Sequence, residues 1–402
     1  MALIVKKFGG SSVANAERVF NVANIIIEDY KKGNNIVTVV SAQGDTTDDL
    51  IEKAKEINPD GASKREMDML LSAGEQISCS LLAMAIEKLG YPVVSLLGWQ
   101  AGFKTDANYG FARIKKLEAE RINMELDKKN IVIVAGFQGI NKYDDITTLG
   151  RGGSDTSAVA IAASLKADLC QIYTDVDGVY TADPRIVKDA KKLKEISYNE
   201  MLELASLGAQ VLNNRTVEMA KKYNVELEVL SSLERKEGTK VKEVTHMEKM
   251  FIRGVAKDVD VARISIIGLN DTPGIAFKIF NQLASKKINI DIILQSVGRD
   301  GTKDITFTVA TDKCDEAVKA LKDMKGNVSF TEILSDKSVA KVSIVGAGME
   351  AHPGVAAKMF EALFDKNINI QMIATSETKI SVLIDEKDAV TAMVAVHEKL
   401  LG

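Results

Sequence analysis

The stretch "VKKFGGSSVANAERVFNVANIII", residues 5–27, decides the fold because it joins a short apolar strand to an amphipathic helix through two glycines. Gly9 and Gly10 end the strand and free backbone N–H groups where the helix begins. Together with the helix dipole, those groups form an anion site. Lys7 stands at the end of the strand, where its ammonium can reach the same anion. Taken alone, the stretch is more typical of an ordinary strand–turn–helix junction, so its meaning depends on the rest of the chain.

The composition narrows the class of protein. A chain of 402 residues is long for a single core and predicts two or three domains. Its formal net charge of −4 gives no electrostatic basis for binding nucleic acid. Cys79, Cys170 and Cys314 are few and far apart, which argues against a disulfide framework and against a cysteine metal site. No apolar run reaches about 18 residues and "MALIVKKF" is too short for a signal peptide, so we expect a cytoplasmic protein without a membrane partner.

Short apolar runs alternate with helical segments up to about residue 230. This alternation predicts an α/β fold with a largely parallel sheet between helices. Ligands of such sheets bind at the C-terminal ends of the strands. The predicted strands are "LIVKKF", "NIVTVVSA", "PVVSLLG", "NIVIVAGFQG" and "LCQIYTDV", and the predicted helices span 12–32, 64–89 and 154–166.

A charged stretch from Ser231 to Met250 separates this pattern from the rest of the chain. We therefore expect a first domain over residues 1–245 and a second region over 246–402.

The second region contains an internal repeat. "ARISIIGLNDTPGIAFKIFNQLASKKINIDIILQSV" starts at Ala262, and "AKVSIVGAGMEAHPGVAAKMFEALFDKNINIQMIATSE" starts at Ala340. The Pro-Gly and Ile-Asn-Ile elements of the two copies match at an offset of 80 residues. Each copy predicts a strand, a Pro-Gly turn, a helix, an "INI" strand, a further strand and a helix. The two copies cover about 262–335 and about 340–402.

The second copy is one strand short. "DITFTVA" and "KISVLID" supply the next strand of each copy, and "NVSFTEIL" supplies a fourth strand of the first. The second copy ends at Gly402 directly after its helix, whereas the strand-like "MFIRGVA" lies unassigned before the repeats. We therefore expect residues 251–256 to complete the second repeat, so that the two units are intertwined.

Three further strand ends resemble the opening stretch. Each has an ordinary structural explanation, because turns need glycine and helices need caps. Four such ends at one sheet edge, with Lys7, Arg151, Asp155 and Arg185 among them, favour a phosphate-rich ligand. The residues of the three further ends are Ser41, Gly44, Thr46 and Thr47; Gly150, Arg151, Gly152, Gly153, Ser154 and Asp155; and Thr174, Asp175, Tyr180 and Arg185.

Histidine usage bears on the chemistry. His246, His352 and His397 all lie at or beyond the linker, which excludes a Ser–His or Cys–His nucleophile in the α/β half. Phosphoryl transfer needs mainly positioning and charge neutralisation. A carboxylate acceptor, with a reference pKa of about 3.9, is already ionised at neutral pH and needs no general base. The missing histidines fit such an acceptor, and an alcohol acceptor with an aspartate base remains an alternative.

Five segments together resemble the signature segments of aspartate kinase, in the amino-acid kinase superfamily: "KFGGSS", "MDMLLSAGEQIS", "VAGFQG", "TTLGRGGSDTSA" and "TDVDGVYTADPR". The tandem repeat resembles the paired ACT regulatory domains of that family, which are ferredoxin-like βαββαβ units and are intertwined. The resemblance runs over essentially the whole chain in the same order. It implies a catalytic amino-acid kinase domain over 1–245 and a regulatory tandem of ACT domains over 246–402.

The resemblance implies transfer of the ATP γ-phosphoryl group to the side-chain carboxylate of L-aspartate. The product, 4-phospho-L-aspartate, begins the synthesis of lysine, threonine and methionine. ATP would bring Mg²⁺ with it, and no metal site of the protein's own is implied. The family's catalytic residues fall on Lys7 and Asp155. Its substrate-binding residues fall on Ser41, Thr47, Glu75, Phe137, Arg151 and Ser154, and its nucleotide-binding residues on Lys7, Gly9, Gly10, Thr174, Asp175, Tyr180 and Arg185.

Within that resemblance, Glu75 matches the acid that pairs with the substrate ammonium, and Arg151 matches the arginine that holds its α-carboxylate. One departure concerns a lysine near ATP that many members carry in a "G-A-K-V-L" segment. This chain has "GAQVL", with Gln210 at that position.

The ACT resemblance also implies control by small amino acids, with lysine, threonine or both as inhibitors and a homo-oligomer built on the ACT units. A shorter C-terminal product from an internal start is a further expectation, because Met247 and Met250 stand just ahead of the repeats. The expected effector residues are Asn270, Asp271, Ile275, Ala276, Asn289 and Gln295 in the first repeat, and Met349, Val355, Asn369 and Ile370 in the second.

Two alternatives remain at this point. One is another amino-acid kinase, acting on glutamate, acetylglutamate or a nucleoside monophosphate. The other is a non-catalytic amino-acid sensor that only binds ligands through its repeats. The Glu75–Arg151 pair and the ACT tandem count against the first, and intact Lys7, Glu75, Arg151 and Asp155 count against the second.

Overall fold

The computed structural model describes residues 1–208, 211–243, 251–296, 301–324, 328–347, 349 and 354–402, with only the backbone of Phe251. These residues form two compact units. The first contains Met1–Tyr180, Lys192–Ser206 and the described residues from 211 to 243. The second contains Thr181–Lys191, residues 207 and 208, and the described residues from 251 onward.

The first unit alternates strands and helices along most of its length. Its strands are β1 (Leu3–Phe8), β2 (Asn35–Val40), β3 (Val93–Leu96), β4 (Phe103–Thr105), β5 (Ile114–Leu117), β6 (Ile131–Ala135), β7 (Gln138–Ile140), β8 (Ile146–Thr148), β9 (Leu169–Thr174), β10 (Glu195–Ser197), β11 (Leu227–Ser231) and β12 (Thr239–Lys242). Its helices are α1 (Ala16–Lys31), α2 (Thr46–Ile57), α3 (Lys64–Lys88), α4 (Glu120–Asp127), α5 (Gly153–Leu165), α6 (Tyr198–Ser206) and α7 (Asn214–Tyr223).

An eight-stranded sheet forms the centre of the first unit, in the order β10-β12-β11-β9-β1-β2-β6-β3. All of its pairings are parallel except that of β11 with β12. β2 and β6 are almost continuous apolar runs and are buried along nearly their whole length, as expected of parallel strands covered on both faces. The predicted α/β fold with a largely parallel sheet is confirmed.

Helix boundaries follow the capping residues. α3 begins after Ser63, whose hydroxyl accepts a hydrogen bond from Glu66 N at 3.4 Å, and it occupies the predicted span almost to the residue. α1 begins at Ala16, later than the sequence indicated, because the side chain of Asn15 caps it and Gly10–Val13 forms a separate 3₁₀ turn. The first helix therefore starts beyond the turn that follows β1.

A second, four-stranded sheet in the order β5-β4-β7-β8 was not predicted from the sequence. Its strands are only three or four residues long, too short to produce a recognisable alternation. The predicted strand "NIVIVAGFQG" is in fact two strands, β6 and β7, interrupted at Gly136 and Phe137. Phe137 has a left-handed backbone with φ of 68°, which turns the chain from one sheet to the other.

α3 is long and apolar enough to cross a membrane, judged by length and composition alone. Half of its most apolar stretch is buried within the unit, a property it shares with core helices of soluble proteins, and one such helix is weak evidence of a span. Asp68 and Glu75 are among its buried residues.

The second unit contains two four-stranded sheets. Its strands are β13 (Phe251–Asp258), β14 (Ala262–Asn270), β15 (Ile293–Gln295), β16 (Thr302–Val309), β17 (Glu332–Asp336), β18 (Val339–Ala347), β19 (Met372–Thr375) and β20 (Lys379–Asp385). Its helices are α8 (Ile275–Ser285), α9 (Cys314–Lys322), α10 (Val355–Asp365) and α11 (Ala389–Leu401).

The two repeats are intertwined as expected. One sheet has the order β15-β16-β14-β17 and belongs to the first repeat, and the other has the order β13-β18-β20-β19. β13 pairs antiparallel with β18 of the second repeat, with Val255 opposite Ile344. The strand that precedes the repeats therefore completes the second one, as predicted.

The prediction of an "INI" strand in each repeat is wrong. Ile288 N donates to Leu283 O, and Lys287 has a left-handed backbone with φ of 58°, so these residues form the C-terminal cap of α8. Ile368 N and Asn367 repeat the arrangement after α10. Both isoleucines are buried as the apolar residues of these caps. The strands begin a few residues later, at β15 and β19.

The predicted strand "NVSFTEIL" also begins later, at Glu332. Val328 is buried in the core of the first repeat, and Thr331 N donates to Ile267 O at 2.8 Å before regular pairing starts. The start of the predicted strand, Asn327, lies outside the described residues.

Residues Thr181–Lys191, which the sequence pattern placed in the first domain, belong to the second unit. Ala182 and Val187 belong to the same apolar cluster as Val255 and the helices of the second repeat. Thr181 Oγ1 lies 2.9 Å from Nε2 of His397, which is fully buried on α11. The other ring nitrogen, Nδ1, is buried without a hydrogen-bond partner among the described residues.

We expect the second unit to lose stability as the pH falls below about 6.5, the ordinary pKa of histidine. Burial lowers the pKa of His397, and the nearby Lys191 lowers it further against the opposing charges of Asp189 and Glu398. The unfolded chain therefore takes up a proton that the folded unit excludes, and the free energy of unfolding decreases by up to about 1.4 kcal/mol per pH unit. Denaturant unfolding from pH 5 to 8 tests this, and His397→Gln should flatten the dependence. Equal slopes in both proteins would contradict it.

Candidate active site

The predicted strand ends of the first unit meet around a cleft of about 280 Å³. The C-terminal ends of β1, β2 and β6, the start of α5 and the buried face of α3 contribute its walls. It brings together all of the residues predicted for catalysis and substrate binding. Its lining consists of Lys7, Gly10, Ser41, Ala42, Gly44, Thr47, Glu75, Phe137, Gly150, Arg151, Gly152, Gly153, Ser154 and Asp155.

Lys7 and Asp155 form the charged centre of the cleft. Lys7 Nζ lies 2.6 Å from Asp155 Oδ1, and both side chains are largely shielded from solvent. The contact is an ion pair without the alignment of a hydrogen bond, since Oδ1 has no hydrogen-bond partner in the described part of the chain. Asp155 lies in the first turn of α5, where a negative charge is favoured by the helix dipole. The ion pair therefore holds a lysine cation beside a helix N-terminus, as an anion site requires.

Gly10 is required by a close approach of two turns. A Cβ atom at this position would lie only 2.6 Å from Ala42 O. Gly44 N donates to Gly10 O at 3.1 Å, so the turn after β1 is joined to the turn after β2. A side chain at residue 10 would separate these turns and open the cleft.

Glu75 is a buried carboxylate in the lining of the cleft. Its Oε1 accepts a hydrogen bond from Ala42 N at 3.0 Å. Its Oε2 is buried and has no hydrogen-bond partner among the described residues. Burial raises the pKa of Glu75 to about 7, and the hydrogen bond from Ala42 opposes this shift. A ligand cation in the cleft would supply the missing partner.

The glycine-rich turn before α5 presents Arg151 to the cleft. Gly152 is the N-cap of α5 with φ of 70°, a left-handed conformation that favours glycine. Gly153 N donates to Gly150 O at 2.9 Å and closes the turn. Arg151 is exposed between these glycines. Its guanidinium is therefore available to an anionic group of a ligand.

Phe137 carries backbone strain at the cleft. Its left-handed conformation costs about 1–2 kcal/mol for a residue with a side chain. Ser157 Oγ accepts from Phe137 N at 3.1 Å, and Phe137 O accepts from Leu149 N at 2.8 Å. These bonds hold the residue in place between β6 and the glycine-rich turn.

The predicted nucleotide-binding residues lie partly outside the cleft lining. Gly9 N donates to Tyr173 O at 3.3 Å, which connects the turn after β1 to the end of β9, where Thr174 stands. Thr174 Oγ1 accepts from Val176 N, and Tyr180 donates its hydroxyl proton to Asp177 at 2.7 Å. Asp175 is exposed between them. Arg185 belongs to the second unit, where it pairs with Asp183, and Gln210 lies outside the described residues.

Some residues that support the cleft were missed by the sequence reasoning. Asp68 on α3, and Asn213 and Arg215 at the start of α7, hold the backbone beside the glycine-rich turn. Asp68 lies in the quoted segment "MDMLLSAGEQIS", two helical turns before Glu75, but neither fact indicated what it contacts. Lys192, which pairs with Asp177 at 3.1 Å, gave no signal in a lysine-rich stretch.

Several of the predicted effector residues lie at the starts of α8 and α10, and the others lie beyond the ends of these helices. Gly274 and Gly354 are left-handed N-caps of these helices, with φ of 87° and 98°. Asp271 pairs with Lys303 Nζ at 2.8 Å and is largely exposed. Ile275, Val355 and Met349 are buried in the cores of their repeats, Gln295 ends β15, and Asn270 ends β14. Ala276 lies on α8, Asn289 follows the end of α8, and Asn369 and Ile370 follow the end of α10. The effector role of all the predicted residues stays a prediction.

Comparison with known proteins places the chain in a family. The model of the amino acid kinase family matches residues 2–231, and that of the ACT domain matches residues 264–324 and 342–400. Aspartokinase 2 of Bacillus subtilis is 51% identical over 399 residues, which cover 99% of this chain and 97% of that protein. The chain belongs to the aspartokinase family.

Solved structures of aspartokinases agree with this assignment. Aspartate kinase from Synechocystis is 42% identical, with a TM-score of 0.57, over 99% of this chain and 69% of that one. Aspartokinase III of E. coli, in complex with aspartate and ADP, is 25% identical, with a TM-score of 0.85, over 100% of both chains. The resemblance stated from the sequence motifs is thereby confirmed, and so is the fold class of an amino-acid kinase with ferredoxin-like ACT units.

We expect recognition of an ammonium group to weaken as the pH falls below about 7. The ionised form of Glu75 is the form that attracts an ammonium, and its raised pKa means that protonation begins near neutrality. The KM for an amino-acid substrate should therefore rise about tenfold per pH unit below 7. Glu75→Gln should raise the KM at neutral pH, by an amount equivalent to about 2–5 kcal/mol, and remove this pH dependence.

The matched control is Glu87→Gln, which changes an exposed acid on the same helix. It should keep the wild-type profile of KM against pH. Parallel profiles for wild type and Glu75→Gln would show that Glu75 does not meet the ammonium.

Proposed function

We propose that the chain is an ATP-dependent aspartate kinase that forms 4-phospho-L-aspartate. The observation that carries the proposal is one cleft that holds both a lysine at a helix N-terminus and a buried carboxylate, one oxygen of which has no hydrogen-bond partner among the described residues. The first feature suits a transferred phosphoryl group, and the second suits the ammonium of an amino acid. The motifs and the 51% identical aspartokinases support the same substrates.

The phosphoryl side of the cleft is formed by Lys7, Gly9, Gly10 and the start of α5. Lys7 would neutralise charge on the transferred phosphoryl oxygens, and the backbone N–H groups of the glycine turn and the helix start would bind them. Asp155 pairs with Lys7 and so orients the ammonium at the end of β1. The lysine therefore needs little reorganisation when the nucleotide binds.

The amino-acid side is formed by residues from several elements. Glu75 would accept a hydrogen bond from the substrate ammonium, because its Oε2 has no hydrogen-bond partner among the described residues. Arg151 would bind the α-carboxylate, for which a planar guanidinium is well suited. Ser41, Thr47, Phe137 and Ser154 line the same cleft and would complete the contacts to the substrate.

The proposed reaction needs no general base. A side-chain carboxylate oxygen of aspartate attacks the γ-phosphorus, and the bond from that phosphorus to the oxygen bridging it to ADP breaks. The aspartate carboxylate is ionised at neutral pH, so no proton has to be removed from it. The work of the site is positioning and charge neutralisation, the usual requirements of phosphoryl transfer.

The nucleotide would lie beside Gly9 and the end of β9, with Thr174, Asp175 and Tyr180 as its expected partners. Arg185 is proposed from the family motif alone. Mg²⁺ would arrive with ATP and neutralise part of the charge on its phosphates.

The second unit would be regulatory. We propose that the ACT repeats bind lysine, threonine or both and that they join the chains of a homo-oligomer. The kinase function is assigned to residues 1–245 and the regulatory function to 246–402, with a cytoplasmic location. A shorter product that starts at Met247 or Met250 remains part of the proposal, although both residues lie outside the described ones.

An assay of ADP release across candidate acceptors tests the function. L-aspartate should support turnover, whereas L-glutamate, N-acetylglutamate and nucleoside monophosphates should not. Turnover with one of the latter would assign a different amino-acid kinase activity. Absence of turnover with every acceptor, in a protein that still binds amino acids, would indicate a sensor.

We expect Lys7→Ala to lose most of its kcat while it stays folded. Removing one charge that stabilises a transition state typically lowers the rate by about 10²–10³-fold. The control is Lys53→Ala, which removes an exposed lysine of α2 and should be neutral. Steady-state kinetics with saturating ATP and aspartate, together with a thermal melt, tests this. Near-normal turnover in folded Lys7→Ala would remove Lys7 from the mechanism.

We expect Asp271→Ala to relieve inhibition by lysine or threonine without a change in the uninhibited kcat. Asp271 is largely exposed at the turn before α8, where a ligand ammonium could replace its present partner Lys303. A hydrogen bond to a charged group typically contributes about 1.5–3 kcal/mol, so the inhibition constant should rise by about 10- to 150-fold. Asp323→Ala, an exposed aspartate of the same repeat, is the control. A wild type that saturating lysine plus threonine does not inhibit would refute the regulatory proposal alone.

A further inference from the structure

Two backbone segments lie side by side next to the glycine-rich turn. Residues 110–112 and 148–149 are joined by a hydrogen bond from Ala112 N to Thr148 O at 2.9 Å. The second segment leads directly into Gly150 and Arg151. The position of Arg151 therefore depends on what holds these two segments.

Asp68 accepts hydrogen bonds from backbone N–H groups of both segments. Its Oδ2 accepts from Gly110 N at 3.0 Å and from Thr148 N at 2.9 Å, and its Oδ1 accepts from the Thr148 hydroxyl at 2.7 Å. The side chain is buried, with the residue only 1% exposed. One carboxylate thus fixes both segments through three hydrogen bonds.

Arg215 donates hydrogen bonds to backbone carbonyl groups of the same two segments. Its Nη1 donates to Leu149 O at 2.9 Å, and its Nη2 donates to Ala112 O at 2.9 Å. Burial lowers the pKa of its guanidinium, which nevertheless stays charged at neutral pH. The fork of the guanidinium therefore spans the two segments from the side of α7.

The two charges are matched by backbone groups and, for Asp68, also by the hydroxyl of Thr148. Asp68 meets donors and Arg215 meets acceptors, and among the described residues the two do not pair with each other. A buried charge satisfied in this way is strongly directional, because each hydrogen bond requires its backbone partner at one place.

Contacts of Gly150 transmit this position to the turn. A Cβ atom at Gly150 would lie 2.7 Å from Cδ1 of Phe111 and 3.1 Å from Gly110 O. The turn therefore rests directly on the first of the two segments. Any displacement of residues 110–111 would displace Gly150 and, with it, Arg151.

Asp68 also links the turn to Glu75. The two residues are seven positions apart on α3, which places them on the same helix face about 10 Å apart along its axis. We propose that Asp68 and Arg215 are positioning residues that set the spacing between Arg151 and Glu75, the groups that bind the two charged ends of the amino-acid backbone. This inference rests on the proposed aspartate kinase function.

The test separates the loss of hydrogen bonds from the loss of charge. Asp68→Ala should raise the KM for aspartate by about 30- to 100-fold with a smaller effect on kcat, since a shift of about 1 Å can cost that much. Its KM for ATP should change less than about threefold. Asp68→Asn keeps an acceptor oxygen and the same shape, so it should restore most of the affinity. Asp127→Asn, at an exposed position on α4, is the control.

Arg215 provides an independent variant pair. Arg215→Met should reproduce the aspartate-specific defect, and Arg215→Lys, which can reach one of the two carbonyl groups, should recover part of it. Arg121→Lys on α4 is the matched control. Thermal melts of all variants report whether the fold is retained. Unfolding of both Asp68→Ala and Arg215→Met would assign these residues to the fold itself and overturn the proposal.

A double-mutant cycle with Arg151→Ala decides between positioning and general weakening. If Asp68 acts through Arg151, its penalty on aspartate should shrink to less than about tenfold once Arg151 has lost its side chain. The inference would be overturned if the two substitutions raised the KM for aspartate by the product of their separate effects. It would also be overturned if the KM for ATP rose as much as that for aspartate. If the wild type turns over aspartate but the effects of Asp68→Ala and Arg151→Ala on KM multiply, the positioning inference is refuted and the proposed function stands. A wild type inactive with aspartate refutes the proposed function as well.

Discussion

The parallel pairing of β1 with its neighbours is the constraint on which the cleft depends. Because β1, β2 and β6 run in the same direction, their C-terminal ends reach one edge of the sheet. Backbone hydrogen bonds continue beyond the strands, from Ser41 N to Phe8 O and from Gly136 N to Val40 O. The turns that follow the strands are therefore fixed to one another. Each turn can then contribute residues to a common site.

Charge in the cleft is arranged in two different ways. Lys7 is already paired with Asp155, so its position is set before a ligand arrives. Glu75 is buried, and its Oε2 has no hydrogen-bond partner in the part of the chain that the structure describes. Burial raises its pKa. A paired cation favours a rigid anion site, and an unpaired acid favours a ligand that brings its own positive charge. ATP and an amino acid together satisfy both conditions.

The sequence predicted those elements of the structure that produce strong local patterns. Near-continuous apolar runs identified β1, β2 and β9, and the matched repeats identified the intertwined second unit. The "INI" residues misled the prediction because Ile288 and Ile368 are buried as helix caps, and burial alone does not distinguish a cap from a strand. Asp68 and Arg215 could not be assigned a role, because their partners are mainly backbone atoms and lie up to 103 residues away. Such long-range contacts leave no local signal in a single sequence.

In the proposed reaction, the cleft transfers a phosphoryl group to the side-chain carboxylate of aspartate. Trapping the product with hydroxylamine tests this most directly, because an acyl phosphate reacts to form a hydroxamate whereas a phosphate ester does not. With ATP, Mg²⁺ and L-aspartate, we expect one hydroxamate per ADP released, on the side-chain carboxyl group. ADP release without any hydroxamate, or a hydroxamate on the α-carboxyl group, would contradict the account.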